Sequence, residues 1–140
     1  MIYLDTNILI AYINPKDKLH DKAVSLVSRY QENEIVISQL VVLELYSVYS
    51  RIMNLSDIEL EALVNYTIEK CKVKIATINW DELYSQSLSY ANRLKLKTLD
   101  LLHIIAAYLV GAKTLISFDK DINNKRSIIR DFLGLEVLGL

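Results

Sequence analysis

The sequence predicts an α/β fold, a parallel sheet covered by helices, and three observations carry that prediction. Short β-type runs alternate along the chain with segments of helical periodicity. Parallel neighbours need crossover connections, which usually contain helices, so this alternation points to a parallel sheet. The composition is that of a packed chain: 52% of 140 residues are hydrophobic and only three glycines and one proline interrupt them, which excludes disorder. The length fits one domain, residues 1–140, with little room for a second core.

The elements follow in order. Ile2-Tyr3-Leu4 reads as a short strand that stops at the polar turn Asp5-Thr6-Asn7. Ile8, Leu9, Tyr12 and Ile13 then recur at helical spacing until Asn14-Pro15 breaks the pattern. A second helix is expected over 19–31, with Ala23, Leu26, Val27 and Tyr30 on its apolar face. Residues 34–37 read as the next strand, and Ser38 as the N-cap of an apolar helix over 39–53. Ser56-Asp57-Ile58-Glu59 has the capping-box pattern, in which hydroxyl and carboxylate each satisfy an orphan backbone N–H, so a helix should run to Lys70. A weaker strand over 73–78 follows. Asn79 is placed to cap a helix over 80–94, and Thr98 to cap one over 99–112 that ends around Gly111. Residues 114–118 form a strand ending at Asp119; a short helix over 127–132, a turn at Gly134 and a strand over 135–138 close the chain.

The formal net charge of -1 gives no global attraction for nucleic acid, so any RNA contact must be local. The single Cys71 excludes an intramolecular disulfide and any cysteine-based metal site; it suits a reducing compartment and reads as a buried, inert thiol. Met1 to Leu4 run into Asp5 without a basic segment or a small-residue cleavage site, so no signal peptide is expected. The longest apolar stretch, 99–112, carries Asp100 and His103 and is too short to span a bilayer. A cytoplasmic protein without membrane contact is expected. The apolar excess points to a protein–protein surface as well as a core.

Ligands of open α/β sheets sit beyond the carboxyl ends of the strands. Two acids stand there, Asp5 and Asp119. Two more interrupt apolar helices: Glu44 within Val41-Val42-Leu43-Glu44-Leu45, and Asp100 within Thr98-Leu99-Asp100-Leu101-Leu102. Each has a bland alternative: Asp5 as a helix cap, Asp100 as a first-turn acid favoured by the helix dipole, Glu44 on an exposed face, Asp119 as a loop acid. The functional reading rests on the set. Four converging carboxylates repel one another, raise at least one pKa, and demand a cation. Oxygen-only ligands with no cysteine and few histidines favour Mg²⁺, with Mn²⁺ able to substitute, over zinc. Such a site suits hydrolysis of a phosphodiester.

The same residues resemble a known family. Leu4-Asp5-Thr6-Asn7-Ile8-Leu9-Ile10, then Ser38 and Glu44 after a strand, then Leu99-Asp100-Leu101-Leu102-His103-Ile104-Ile105-Ala106-Ala107, then Leu115-Ile116-Ser117-Phe118-Asp119-Lys120-Asp121-Ile122 are together similar to the PIN-domain nucleases, and in order and spacing to the VapC toxins of toxin–antitoxin pairs. The match runs from Ile2 to the closing Gly134-Leu135-Glu136-Val137-Leu138, with residues 45–97 agreeing only in helical character. The resemblance implies a three-layer α/β/α fold with a central twisted parallel sheet, a Mg²⁺-dependent endoribonuclease, a homodimer, and inhibition by a small antitoxin that occupies the cleft. Carried over, Asp5, Glu44, Asp100 and Asp119 are the acidic, metal-holding and catalytic set, with Asn7, Ser117 and Thr6 as supporting groups around it. Ser117 stands where threonine is common, which keeps the hydroxyl. Leu101 is bulkier than the alanine common beside that acid, and 123–132 is a longer link to the last strand than usual.

Asp121 is a candidate fifth ligand or water positioner, against the alternative of a solvated loop acid. His103, one helical turn from Asp100, is either a phosphate contact or a hydrogen-bonded core histidine, and His20 has no supporting context. Arg93, Lys95 and Lys97 precede Asp100, and Lys120, Lys125, Arg126 and Arg130 follow Asp119, so basic groups flank the acids and can steer an RNA backbone, unless they are simply solvated. Tyr46 and Tyr49, among nine tyrosines, read as core or dimer contacts. A phosphatase forming an aspartyl-phosphate also begins with a strand ending in Asp, but wants a second acid two residues on, where this chain has Asn7. The chain contains neither a G-x-x-x-x-G-K-[ST] loop nor a G-x-G-x-x-G turn, which speaks against a nucleotide-binding role. The rival from another class is a PIN-like module that binds RNA or protein without cutting, which would not need the electrostatic cost of four acids.

Overall fold

A computed structural model describes residues 1–140. The first strand, β1 (Ile2–Leu4), is buried at every position and forms the middle of a five-stranded sheet. β2 (Ile35–Ser38) pairs with it on one side and β3 (Lys74–Ala76) lies beyond β2; β4 (Thr114–Ile116) pairs on the other side and β5 (Glu136–Leu138) lies beyond β4. All four pairings are parallel, with Ile2 opposite both Ile35 and Thr114, and Leu4 opposite Ile116. Two helices occupy each crossover: α1 (Thr6–Ile13) and α2 (His20–Arg29), α3 (Gln39–Ile52) and α4 (Asp57–Cys71), α5 (Trp80–Leu94) and α6 (Thr98–Leu109), then α7 (Lys120–Asn124) and α8 (Arg126–Leu133). The result is the parallel, helix-covered sheet that the alternation of runs predicted, in the three-layer α/β/α form that the resemblance implied.

The chain adds β2 and β3 outward on one side of β1, then returns across the sheet to add β4 and β5 on the other. The order therefore reverses between β1 and β4, and a crevice opens beyond the carboxyl ends of those two strands, where doubly wound sheets bind ligands. Asp5 directly follows β1, and Ser117-Phe118-Asp119 directly follow β4.

Local chemistry sets the helix starts. Asp5 Oδ1 accepts from the Thr6 N–H at 2.8 Å, and Ser38 Oγ from the Leu40 N–H at 3.2 Å, each satisfying a donor that the first turn leaves free. The capping box forms in full: the Glu59 N–H donates to Ser56 Oγ and the Ser56 N–H to Glu59 Oε1. Asn79 Oδ1 caps α5 through the Glu82 N–H. Thr98, by contrast, does not cap α6. It is the helix's first residue, Lys97 takes the capping position, and no side chain serves the first turn there. α6 ends at Leu109, and Gly111, with φ of 85°, turns the chain as expected.

Boundaries shift by one to three residues elsewhere, and one element was not anticipated. α7 occupies what read as a loop, because Asp119 caps it: its Oδ1 accepts from the Ile122 N–H at 3.0 Å. The core is a single contiguous cluster contributed by both faces of the sheet and the inner faces of the helices. Tyr49 belongs to it, with its hydroxyl 2.8 Å from Thr67 Oγ1, and Tyr46 is half-buried against it. Cys71 is buried, and burial pushes its thiol up to about 12, as an inert structural cysteine requires. No helix is long and apolar enough to cross a membrane.

Tyr3, fully buried at the sheet's centre, reaches Ser38 with its hydroxyl, 2.7 Å from Oγ, and so ties the end of β1 to the cap of α3. Because the Leu40 N–H still satisfies Ser38, Tyr3→Phe should lower unfolding free energy by about 1 kcal/mol without altering the fold, measured by chemical denaturation.

Candidate metal centre

Asp5 is the floor of the crevice. It is buried, and its backbone N–H donates to Ile116 O at 3.0 Å, so the register of β1 and β4 decides where its carboxylate stands. Ser117 Oγ donates to Asp5 Oδ2 at 2.6 Å, and Asn7 Nδ2 donates to the same oxygen at 3.2 Å. Asn7 is held in turn by the Phe118 N–H, which donates to its Oδ1 at 3.0 Å. Ser117 Oγ also accepts from the Asp119 N–H at 3.0 Å, joining the first and last of the four acids through one hydroxyl. Gly139 backs this arrangement: a Cβ there would lie 1.9 Å from the Ser117 carbonyl oxygen, so no side chain can stand at 139 without moving Ser117.

Asp5, Glu44, Asp100 and Asp119 all line one pocket of about 280 Å³, together with Thr6, Asn7, Ile10, Val48, Leu99 and His103. The segments that carry them are the ends of β1 and β4, the middle of α3 and the first turn of α6. Within the pocket the donors fall into two groups. Carboxylate oxygens of Asp5 and Glu44 and a ring nitrogen of His103 lie within 4.8 Å of one another, as do carboxylate oxygens of Asp100, Asp119 and Asp121.

The charges show in the pKa values. Burial drives Asp100 up to about 6, and the carboxylates of Asp119, Asp5 and Asp121 push in the same direction, against the opposing pull of His103. Asp5 is also raised, chiefly by burial, although His103 and the Ser117 hydroxyl act to lower it. Glu44 moves the other way: burial would raise it, but contact with His103 outweighs that and lowers it. For His103 burial alone would lower the pKa, and Glu44 and Asp5 reverse the sign. Two buried polar groups facing the pocket have no hydrogen-bond partner, Thr6 Oγ1 and the His103 ring. Oxygen-rich donors crowded into a pocket that no arginine or lysine lines, with one lysine, Lys97, at its rim beside Asp121, and with orphaned polar atoms facing them, fit a bound divalent cation.

The flanking basic residues separate into two kinds. Lys95, Lys97 and Lys125 line a cleft of about 290 Å³ that also includes Asp121, with Lys97 Nζ 3.7 Å from the Asp121 carboxylate, so this cleft adjoins the acids. Arg93 and Arg126 are occupied within the chain: the Arg93 guanidinium lies over the rings of Tyr90 and Phe132 and donates to Ser89 O, and Arg126 donates to Asn123 O and Leu140 O. Lys120, the first residue of α7, is exposed. His20 lies elsewhere, with Nδ1 2.8 Å from Ala11 O. His103 carried its signal in the sequence, one turn beyond Asp100 on the same helix, but only the packing of α6 against α3 brings it to Glu44.

Comparison with known proteins agrees with the fold. A family model described as the PIN domain matches residues 2–127. Among solved structures, VapBC2 from Rickettsia felis, bound to a DNA fragment from its promoter, superposes with a TM-score of 0.65 at 21% identity over 99% of either chain. VapBC-1 from nontypeable Haemophilus influenzae gives 0.68 at 20% identity, covering 99% of this chain and 98% of that one. The Mycobacterium tuberculosis sarcin-ricin loop cleaving toxin VapC20 gives 0.65 at 18% identity, covering 89% and 94%. No curated protein matches the chain.

Asp100 with a pKa near 6, above its value in the unfolded chain, stabilises the metal-free fold fully only below pH 3.8, and that contribution is lost as pH rises through about 6. In EDTA at pH 7, Asp100→Asn should therefore raise the melting temperature, and the gain should shrink as pH falls toward 4. A gain that is independent of pH would mean that the other acids do not act on Asp100.

Proposed function

The chain belongs to the PIN-domain family, and from that premise we propose that it is a divalent-metal-dependent endoribonuclease, the toxin of a toxin–antitoxin pair, acting as a single domain. The observation that carries this reading is the convergence of four carboxylates from distant segments into one pocket that no lysine or arginine lines. Asp5, Glu44, Asp100 and Asp119 would hold the ion, Mg²⁺ with Mn²⁺ able to replace it. When bound, it lowers the pKa of an attacking water and neutralises charge on the scissile phosphate and leaving oxygen.

The chain's own groups do the rest. Asn7 and Ser117 hold Asp5 Oδ2 and the Thr6 N–H holds Oδ1, which fixes the carboxylate at the pocket, and Thr6 offers an unpaired hydroxyl to water or ligand there. Asp121 adds negative charge at the rim beside Lys97, where it can orient a water. Lys95, Lys97 and Lys125 supply local positive charge to bind the RNA backbone away from the cut, which a chain of net charge -1 needs.

Two surface features suit protein partners. A groove of about 240 Å³ lined by Leu40, Leu43, Ser47 and Arg51 shares Glu44 and Leu99 with the acidic pocket, so a peptide segment of an antitoxin seated there would also cover the acids. Trp80, Tyr84 and Leu88 stand one turn apart and exposed on α5, an apolar stripe suited to a homodimer.

Incubated with a panel of RNAs, the purified protein should cleave at least one with Mg²⁺ present, and cleavage should fall to background in EDTA or with Asp100→Asn. Cleavage that survives both would contradict the reading. The double variant Lys95→Gln, Lys97→Gln should weaken RNA binding and reduce the slope of log affinity against log salt by about 0.7 for each phosphate that a lysine no longer neutralises.

A further inference from the structure

His103 has no place in the four-carboxylate account, yet its surroundings are unusual for a core histidine. The side chain is about 2% exposed, and neither ring nitrogen makes a hydrogen bond. A buried imidazole left in that state is costly. The ring lines the pocket: Nε2 lies 3.2 Å from Glu44 Oε1 and 3.8 Å from Asp5 Oδ1, and neither contact forms a hydrogen bond. Those spacings are on the scale of a coordination polyhedron. Ligand atoms held ~2.1 Å from one ion stand ~3.0 Å apart along an octahedral edge and ~3.4 Å apart along a tetrahedral one.

We infer that His103 Nε2 is a nitrogen ligand of the metal centre, sharing a cation with Asp5 and Glu44, and that the centre therefore binds Mn²⁺ in preference to Mg²⁺. The inference rests on the divalent-cation reading of the pocket and goes beyond it, since that reading uses oxygen donors alone. Two half-sites then differ in chemistry: Asp5, Glu44 and His103 offer mixed nitrogen and oxygen donors, whereas Asp100, Asp119 and Asp121 offer only oxygen. Imidazole suits transition metals better than it suits Mg²⁺, which favours carboxylate and water. His103 and Asp100 sit one turn apart on α6, so a single helix presents a donor to each half-site.

Electron spin-echo envelope modulation on the Mn²⁺-loaded, full-length protein tests this directly. The spectrum should contain the ¹⁴N modulation of a directly bound imidazole, and growth with ¹⁵N-histidine should replace it with the ¹⁵N pattern. His20→Asn should leave the modulation intact, because His20 is engaged with Ala11 on another face. His103→Asn should abolish it and weaken Mn²⁺ binding about 10-fold or more, on the scale of losing a group that serves a metal site, while changing Mg²⁺ affinity much less. The wild-type spectrum stands as a test even if that variant folds poorly. Mn²⁺ that binds without ¹⁴N modulation would overturn the inference and leave the metal-dependent reading in place, with His103 reduced to an ion-pair partner of Glu44. Mn²⁺ that does not bind at all would overturn both.

Discussion

Mutual repulsion among carboxylates would drive these acids apart in any flexible chain, and the structure holds them together by fixing backbone that has little freedom to yield. Asp5 and Asp119 follow adjacent parallel strands whose register is locked by burial on both faces of the sheet. Glu44 and Asp100 are carried by α3 and α6, which pack against each other across the crevice. Asp5 bears the largest burden because it is buried, and three donors offset part of the cost: the Thr6 N–H, the Ser117 hydroxyl and the Asn7 amide. Asp100 has no such donors, and its raised pKa is the residue of that imbalance. Strain of this kind is what a cation relieves.

Much of this was legible in the sequence because it depends on local rules. The alternation of runs gave the parallel sheet, and caps at Ser38, Ser56 and Asn79 announced the starts of α3, α4 and α5. The acids stood out by position, two after strands and two among leucines. The bland reading of Asp5 as a helix cap was also right, and Asp119, read as a loop acid, caps a helix as well; each caps with one oxygen and still lines the pocket. Capping and clustering are compatible because a carboxylate has two oxygens.

What escaped the sequence was long-range. α7 was hidden because five residues are too few for a periodic signal. Thr98 looks like a cap, but the turn begins one residue earlier at Lys97. The lysines and arginines near the acids form one undivided group in the sequence, whereas folding directs Lys95, Lys97 and Lys125 to one cleft and lays Arg93 and Arg126 along the surface, on aromatic rings and against the chain's end. His103 belongs to the same class of surprise. Its neighbours on α6 are leucines and isoleucines, and only the approach of α3 makes its environment ionic.

The acidic pocket is flanked by an apolar groove that shares Glu44 and Leu99 with it and adjoins a lysine cleft through Asp121. The groove and the lysine cleft thus border the acidic pocket on two sides, and a segment that filled the groove would cover Glu44, one of the pocket's four acids. The central claim is that those acids jointly hold a divalent ion. Anomalous diffraction from crystals of the protein grown with Mn²⁺ tests it most directly. A peak within coordination distance of at least two of the Asp5, Glu44, Asp100 and Asp119 carboxylates is the result the account predicts; crystals saturated with Mn²⁺ that show no peak in the pocket, or one only at an unrelated surface acid, would contradict it.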